Sequence, residues 1–366
     1  MRLDDLRRWP DLEAPELRAW DAADTLILDE ATSYLPNIDV TVIGDEYGAL
    51  TLGALDRGAS QLRVHQDSLA GEQALAANHA GVASTGTYSS QALGRGLVDG
   101  ASLVLMRLPR SLEALEQIAA LIATHADPQV VVIAGGRLKH MTRSMNDVLL
   151  RHFDSLDVTH ARQKSRVLIA RGPRRGGTNE PRTQFHDDLG IWVAATGGVF
   201  AGTAVDIGTR ALLSVLDGVP AYESAIDLGC GTGIIAARLA QMRPEARVLA
   251  SDRSAAAVES ATLTMELNRL RVRVTRDEAV SREPDASADL VALNPPFHSG
   301  AAVHSGAATA LFEGAARVLR PGGELWTVFN SHLNYVPTLT RLVGPTRQVL
   351  RTPKFTVTAS RARDAA

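Results

Sequence analysis

Asp227-Leu-Gly-Cys-Gly-Thr-Gly233 places a carboxylate two residues ahead of three alternating glycines. Glycines at 229, 231 and 233 permit positive φ and let a ligand approach the backbone. An apolar stretch precedes the loop and a helical pattern follows it, and α/β sheets bind ligands at such strand ends. Asp252 lies 23 residues beyond Gly229. An acidic side chain at the end of the next strand can accept both ribose hydroxyls of an adenosine. Arg253 follows directly and joins the cofactor-binding candidates. The loop reads GxGxG, whereas dinucleotide loops read GxGxxG. Asp227 would repel a pyrophosphate and favour a ligand carrying an amino group and a sulfonium. Cys230 has no His or Lys beside it to lower its pKa, so it reads as a small filler.

A second constellation is Leu290-Val-Ala-Leu-Asn294-Pro-Pro-Phe297. Two prolines cannot donate to a sheet ladder, so they end the strand and fix the direction of the Pro295 carbonyl. An exocyclic amine on a base is a poor nucleophile because its lone pair is delocalised into the ring. The Asn294 side-chain oxygen and the Pro295 carbonyl can hold its two hydrogens and turn that lone pair toward an electrophile. Catalysis would then rest on positioning and electrostatics, with no covalent intermediate. Pro296 completes the rigid turn, and Phe297 would stack on the planar acceptor. A base would have to be unpaired or flipped out to arrive there.

The elements that must position these residues alternate along the second half. Strands are predicted at Ser224–Leu228, Arg247–Ala250, Val272–Thr275, Ala288–Leu293 and Glu324–Phe329. Helices are predicted at Ile234–Gln241, Ser254–Asn268 and Ala307–Leu319, with Ser254 as an N-cap and Arg320-Pro-Gly-Gly closing the last. Such alternation implies a mostly parallel sheet with helices on both faces.

The first half repeats the plan in degraded form. Val40–Ile43 runs into Gly44-Asp-Glu-Tyr-Gly48, and Gln61–Val64 ends near Asp67. The interval from Gly44 to Asp67 is again 23 residues. Leu103–Pro109 aligns with Leu290–Pro296, and Gln129–Ala134 with the fifth strand. At the chemical positions Asp227 becomes Val42, Gly231 becomes Glu46, Asn294 becomes Arg107 and Pro295 becomes Leu108. The sequence thus predicts an α/β protein of two tandem domains of one fold, the first degenerate. Arg171–Pro181, rich in Gly, Pro and Arg, reads as a linker, with the boundary at about 180.

Bulk properties narrow the class. One cysteine excludes an internal disulfide framework and fits a reducing cytosol. That Cys and ten His show no CxxC or HExxH spacing, so no metal is expected. The first residues lack an apolar signal region. The uncharged run Leu189–Val205 holds four glycines and reads as strand and turn, so no membrane partner is expected. The cytoplasm is the expected location. The net charge of −3 gives no global attraction for nucleic acid. Yet Arg137–Arg182 carries eleven basic against four acidic residues, a stripe able to neutralise phosphates.

Asp227–Gly233, Asp252 and Asn294–Phe297 together resemble class I methyltransferases acting on planar amino or amide nitrogens. With His298 added, the chain resembles the bacterial ribosomal RNA guanine-N2 methyltransferases, the large-subunit 23S enzyme more closely than the small-subunit 16S enzyme. Gly198–Thr209, Asn330–Tyr335, Pro353–Phe355, Ala19–Asp24 and Gly44–Leu50 share in the resemblance. It implies two tandem Rossmann-like methyltransferase domains: a degenerate one at 1–180 for RNA recognition and a catalytic one at 181–366. It implies S-adenosylmethionine as cofactor, a guanine N2 amine in ribosomal RNA as acceptor, and a monomer. Family members often carry Asn where Glu278 stands, near adenine, so that contact falls to Asp277 or Glu278. The same clamp could serve a protein glutamine amide or a DNA adenine amine. An RNA-binding assembly factor with a vestigial pocket is the non-enzymatic alternative.

Overall fold

The computed structural model describes residues 2–35, 39–82, 86–177, 180–295 and 301–364, with side chains of 301–305 and 307 left aside. Its contacts group the chain into two compact units, Met1–Glu180 and Pro181–Ala366.

The first unit contains β1 (Val40–Ile43), β2 (Gln61–His65), β3 (Thr87–Ser90), β4 (Leu103–Arg107), β5 (Val131–Arg137), β6 (Phe153–Val158) and β7 (Ser165–Pro173). Its helices are α1 (Ala22–Ala31), α2 (Ala49–Asp56), α3 (Leu69–Gly81), α4 (Arg95–Val98), α5 (Leu112–His125) and α6 (Arg143–His152). The sheet order is β3-β2-β1-β4-β5-β7-β6. The first five strands pair in parallel, whereas β7 runs antiparallel to both β5 and β6. Successive residues of the central strands feed opposite core layers. Val42, Leu105 and Ile133 pack on one side; Ile43, Val104 and Val132 pack on the other. That period-two split explains why these strands read as continuous apolar runs.

The second unit opens with a hairpin, β8 (Arg182–His186) and β9 (Ile191–Ala195), and then α7 (Ile207–Leu213). There follow β10 (Ser224–Leu228), α8 (Ile234–Met242), β11 (Arg247–Asp252), α9 (Ala255–Asn268), β12 (Val272–Arg276), β13 (Ala288–Leu293) and α10 (Ala301–Val318). β14 (Leu319–Asn330), α11 (Val336–Leu342), β15 (Thr346–Arg351) and β16 (Phe355–Arg361) complete it. The order β12-β11-β10-β13-β14-β16-β15 repeats that of the first sheet, strand for strand. Both units are therefore one Rossmann-like fold used twice, as expected.

The hairpin is tied to the sheet layer by α9. Ser260, Thr264 and Asn268, spaced one turn apart, face the backbone of β9 and its end. Their side-chain oxygens accept from the N–H groups of Thr196 (3.0 Å), Ala194 (3.0 Å) and Trp192 (2.9 Å). Edge-strand donors that would otherwise lack partners are satisfied in this way.

Several expectations are corrected. The last of the predicted helices spans Ala301–Val318, beginning before Ala307, and the following strand begins at Leu319. Arg320-Pro-Gly-Gly is a break inside β14: the pairing jumps from Ala288 with Leu319 to Leu290 with Glu324. The linker starts later than predicted, because Arg171, Gly172 and Pro173 lie in β7. Arg171 pairs with Val131, and Pro173 with Phe153. Ladder pairing on two sides outweighs the local reluctance of Gly and Pro. Ile191–Ala195 is a strand within the uncharged run. No helix among the described residues is long and apolar enough to cross a membrane.

The equal 23-residue intervals do not match equivalent residues. Gly44 and Gly229 are equivalent, since their N–H groups donate to the carbonyls of His65 (3.0 Å) and Ser251 (2.8 Å). The partner of Asp252 in the first unit is therefore Gln66, the residue after His65, and not Asp67. The first unit has one residue fewer between the strands.

Candidate active site

Four segments of the second unit meet the carboxyl edge of its sheet: the loop after β10, the end of β11, the end of β13 and the first turn of α7. β10 lies between β11 and β13, with Asp227 paired to Ala250 and Ala292. This places the Gly-rich loop between Asp252 and Asn294, at the strands where the chain order reverses.

Asp227 is fully buried. Its Oδ2 accepts from the Ala236 N–H in α8 at 2.9 Å. Its Oδ1 is buried with no hydrogen-bond partner among the described residues. Burial raises its pKa to about 7; the Ala236 hydrogen bond opposes the rise and Asp252 adds to it. Gly231 has φ +54°, and a Cβ built there meets no atom within 4 Å. Gly229, at φ +70°, would meet only Leu293 Cδ1, at 4.0 Å. The two glycines keep an open cradle. Gly233 differs: its Cβ would lie 2.9 Å from Met265 Cε and 3.0 Å from Ala261 Cβ. It lets the start of α8 pack tightly on α9. Cys230 is buried and its thiol is pushed up by desolvation, which suits a filler and not a nucleophile.

Asp252 ends β11 and accepts from Gly231 N (3.0 Å, through Oδ2) and Ser254 N (2.9 Å, through Oδ1). Ser254 caps α9 by accepting from Ala257 N, as predicted. Arg253 is exposed and forms an ion pair with Glu278 at 3.6 Å. Asp277 is consumed by its own turn: Oδ1 accepts from Ser281 Oγ (2.7 Å) and Oδ2 from Arg282 N (3.0 Å).

Asn294 follows β13. Its Nδ2 donates to Asp206 Oδ2 (3.0 Å) and to Thr209 Oγ1 (2.9 Å). Its Oδ1 is buried with no hydrogen-bond partner among the described residues. Pro295 is buried beside it. Pro296, Phe297 and His298 lie outside the described residues. Asp206 and Thr209 lie in Gly198–Thr209, a segment singled out for its resemblance, but sequence reasoning gave neither residue a role. The structure adds that Asp206 is the N-cap of α7.

The equivalent edge of the first unit is filled from within. Asp45 is buried and accepts from the N–H groups of Gly48 (3.2 Å), Leu50 (3.2 Å) and Thr51 (2.7 Å). By register these donors correspond to Gly233, Ile235 and Ala236; in the second unit Gly233 N donates to the Cys230 carbonyl and Ala236 N to Asp227. Gln66 Nε2 donates to the Asp45 carbonyl. Arg107, in the place of Asn294, turns onto Asp21 and Asp24 at 3.0 and 2.6 Å. Burial pushes Asp24 up to about 6 against the pull of Arg107.

The basic stripe is more neutral than its sequence count. Arg151 pairs with Glu116, Arg162 with Asp29, Arg171 with Asp157 and Arg174 with Asp154. Lys139, Arg143 and Lys164 have no carboxylate partner among the described residues.

The fold and the edge just described define a Rossmann-like methyltransferase class. Residues 190–359 match the family model described as methyltransferase small domain, and residues 2–174 match the RLMG N-terminal domain. The chain belongs to the ribosomal RNA large subunit methyltransferase G family. It is 34% identical to the protein of that name from Streptomyces avermitilis, covering 96% of this chain and 95% of that one. With that of Shewanella amazonensis it shares 32%, covering 96% and 94%. Among solved structures, a T. thermophilus 16S rRNA N2 G1207 methyltransferase (RsmC), in complex with AdoMet and guanosine, has the same fold. The TM-score is 0.76 at 21% identity, covering 96% of this chain and 97% of that one.

Proposed function

We propose that this protein transfers a methyl group from S-adenosylmethionine to the exocyclic N2 amine of a guanine in large-subunit ribosomal RNA. Family membership over nearly the whole chain supports the reaction class. One observation carries the assignment of the site: the buried, unpartnered Oδ1 of Asn294 at the end of β13. A buried acceptor without a donor is costly unless a ligand completes it.

The open cradle at Gly229 and Gly231, the unpartnered Asp227 Oδ1 and the carboxylate at the end of β11 fit the cofactor. When bound, S-adenosylmethionine supplies an electrophilic methyl group on a sulfonium. Asp227 favours the cationic end of that ligand and anchors the first turn of α8. Asp252 holds the loop and is the residue placed for the ribose hydroxyls. Because Asp277 is spent on its own turn, Glu278 faces the adenine, with Arg253 steadying it. Asn294 Oδ1 and the Pro295 carbonyl accept the two amine hydrogens of the guanine. That aims the lone pair and shares the positive charge that develops on the nitrogen. Phe297 supplies the stacking surface, with Pro296 fixing its approach.

The first unit recognises RNA and holds no cofactor. Its Asp45 side chain takes three backbone donors at the start of α2. Arg110, Arg137 and Lys139 crowd His140 and contribute to the lowering of its pKa below the usual range, after desolvation. Such a cationic corner suits phosphates. The protein acts as a monomer.

The test is methyl incorporation from labelled S-adenosylmethionine into large subunits or naked 23S rRNA from a deletion strain. Incorporation at one guanine, read as N2-methylguanine after digestion, is the expected result. No incorporation into either substrate by protein that binds the cofactor would overturn the proposal.

A further inference from the structure

The position of the Asn294 amide is set by residues about 85 positions earlier in the chain. Asp206 is the N-cap of α7. Its Oδ1 accepts from Gly208 N at 2.8 Å, and its Oδ2 from Thr209 N at 3.3 Å and Thr209 Oγ1 at 2.5 Å. The Thr209 hydroxyl has one proton, and that proton is spent on Asp206. Toward Asn294, then, Thr209 Oγ1 can offer only a lone pair. A carboxylate likewise only accepts. Both atoms facing the Asn294 side chain are acceptors, at 3.0 and 2.9 Å, so only the NH₂ end of the amide can sit there. The carbonyl oxygen must point the other way. α7 also approaches that oxygen closely: a Cβ on Gly208 would lie 3.4 Å from Asn294 Oδ1 and 3.1 Å from Phe355 Cε1.

We propose that Asp206 and Thr209 are positioning residues for methyl transfer: their hydrogen-bond polarity holds Asn294 with Oδ1 toward the acceptor amine. This rests on the reading of Asn294 Oδ1 as the amine's acceptor. An asparagine is otherwise nearly symmetric, and the flipped amide would present two donors to a substrate amine that also donates. The orienting pair removes that choice before substrate arrives. Donation from the NH₂ group to a charged oxygen also polarises the amide, making Oδ1 a stronger acceptor.

The decisive variant is Asp206→Asn, which keeps the shape and the shorter N-cap bond, from Gly208 N, and gives up the 3.3 Å bond from Thr209 N. The new amide keeps its oxygen on Gly208 N and turns its NH₂ toward Asn294 and Thr209. The hydroxyl of Thr209 is then free to donate to Asn294, and the whole network reverses. The expected result is a kcat lower by about 10- to 100-fold, as for lost outer partners of a functional group. The KM for rRNA, the Kd for S-adenosylmethionine and the Tm are expected to stay near wild type. Thr209→Val lowers kcat in the same way, and Thr209→Ser recovers turnover relative to it. The double variant Asp206→Asn with Asn294→Asp restores the complement, because a carboxylate at 294 accepts from both partners and still offers an oxygen to the amine. It should turn over faster than Asp206→Asn alone.

Wild-type kcat in Asp206→Asn would overturn the inference. So would a double variant no faster than Asp206→Asn, or a kcat loss matched by a fall in Tm. If Asn294→Ala is inactive while Asp206→Asn and Thr209→Val are as active as wild type, only this inference fails. If Asn294→Ala retains full turnover, the reading of Asn294 as the acceptor's clamp fails too.

Discussion

Asn294 and Arg107 occupy the same position in two copies of one sheet. Leu293 pairs with Leu228 as Met106 pairs with Ile43, and each residue is the next along its chain. Asn294 leaves an oxygen open at the sheet edge, whereas Arg107 closes the same place with two carboxylates. One position thus carries the proposed chemistry in one unit and stability in the other.

Removing Arg107 should therefore cost folding and not cofactor affinity. The Arg107 side chain is 20% exposed and that of Asp24 only 6%. Breaking such a pair leaves a buried charge without its partner, at about 3 kcal/mol. Urea unfolding of Arg107→Ala should show a loss of that order, with calorimetric S-adenosylmethionine affinity unchanged.

Asn294→Ala should abolish transfer, lowering kcat by about 10²-fold or more, the scale for one lost electrostatic contact at a reacting centre. The Kd for cofactor should stay within about twofold. A parallel loss of cofactor affinity would place Asn294 on the wrong ligand.

The two loop glycines should separate binding from stability. Gly231→Ala meets no neighbour, so its folding cost is the positive-φ penalty of about 1–2 kcal/mol. Its methyl group enters the cradle, so the Kd for S-adenosylmethionine should rise at least tenfold. Gly233→Ala adds a clash with Met265 and Ala261 to the same backbone penalty. Thermal unfolding should show it as the less stable of the two.

Asp227 predicts a pH dependence of two opposite signs. Its folded carboxyl titrates at about 7, above the usual 3.8, because burial penalises the charge. The folded state therefore binds this proton more tightly than the unfolded chain. The stability it contributes is full below about 3.8 and is lost as pH rises through 7. Cofactor binding runs the other way, since a cationic ligand favours the ionised carboxyl. Its affinity should rise with pH up to about 7 and then level off. Calorimetry between pH 5.5 and 8.5 would check this, and Asp227→Asn should remove the slope.

Deleting residues 1–180 should weaken rRNA methylation far more than cofactor binding. The clusters built on Val42 and Val104 draw only on residues before 180, and those built on Ala292 and Val291 only on later ones. The remaining unit keeps its own core. Equal loss of both activities in filter-binding and calorimetric assays would contradict this division of labour.

Much of the protein was legible from local pattern. A strand of apolar residues, a Gly-rich turn and a helix are written in adjacent positions, as is the Asn-Pro-Pro strand stop. The repeat of that order showed one fold used twice. Counting residues was less dependable: one residue fewer between β1 and β2 moves the equivalent of Asp252 from Asp67 to Gln66, which only strand register reveals.

The sequence by itself determined which residue types could hold a cofactor and an amine, and in which half they stand, because those motifs are contiguous. Tertiary structure alone decided what surrounds them. Asp206 and Thr209 reach Asn294 across 88 and 85 residues, and several arginines of the basic stripe meet carboxylates brought from distant helices and strands. Hydrogen-bond polarity and charge pairing act through space, over distances that chain separation does not encode.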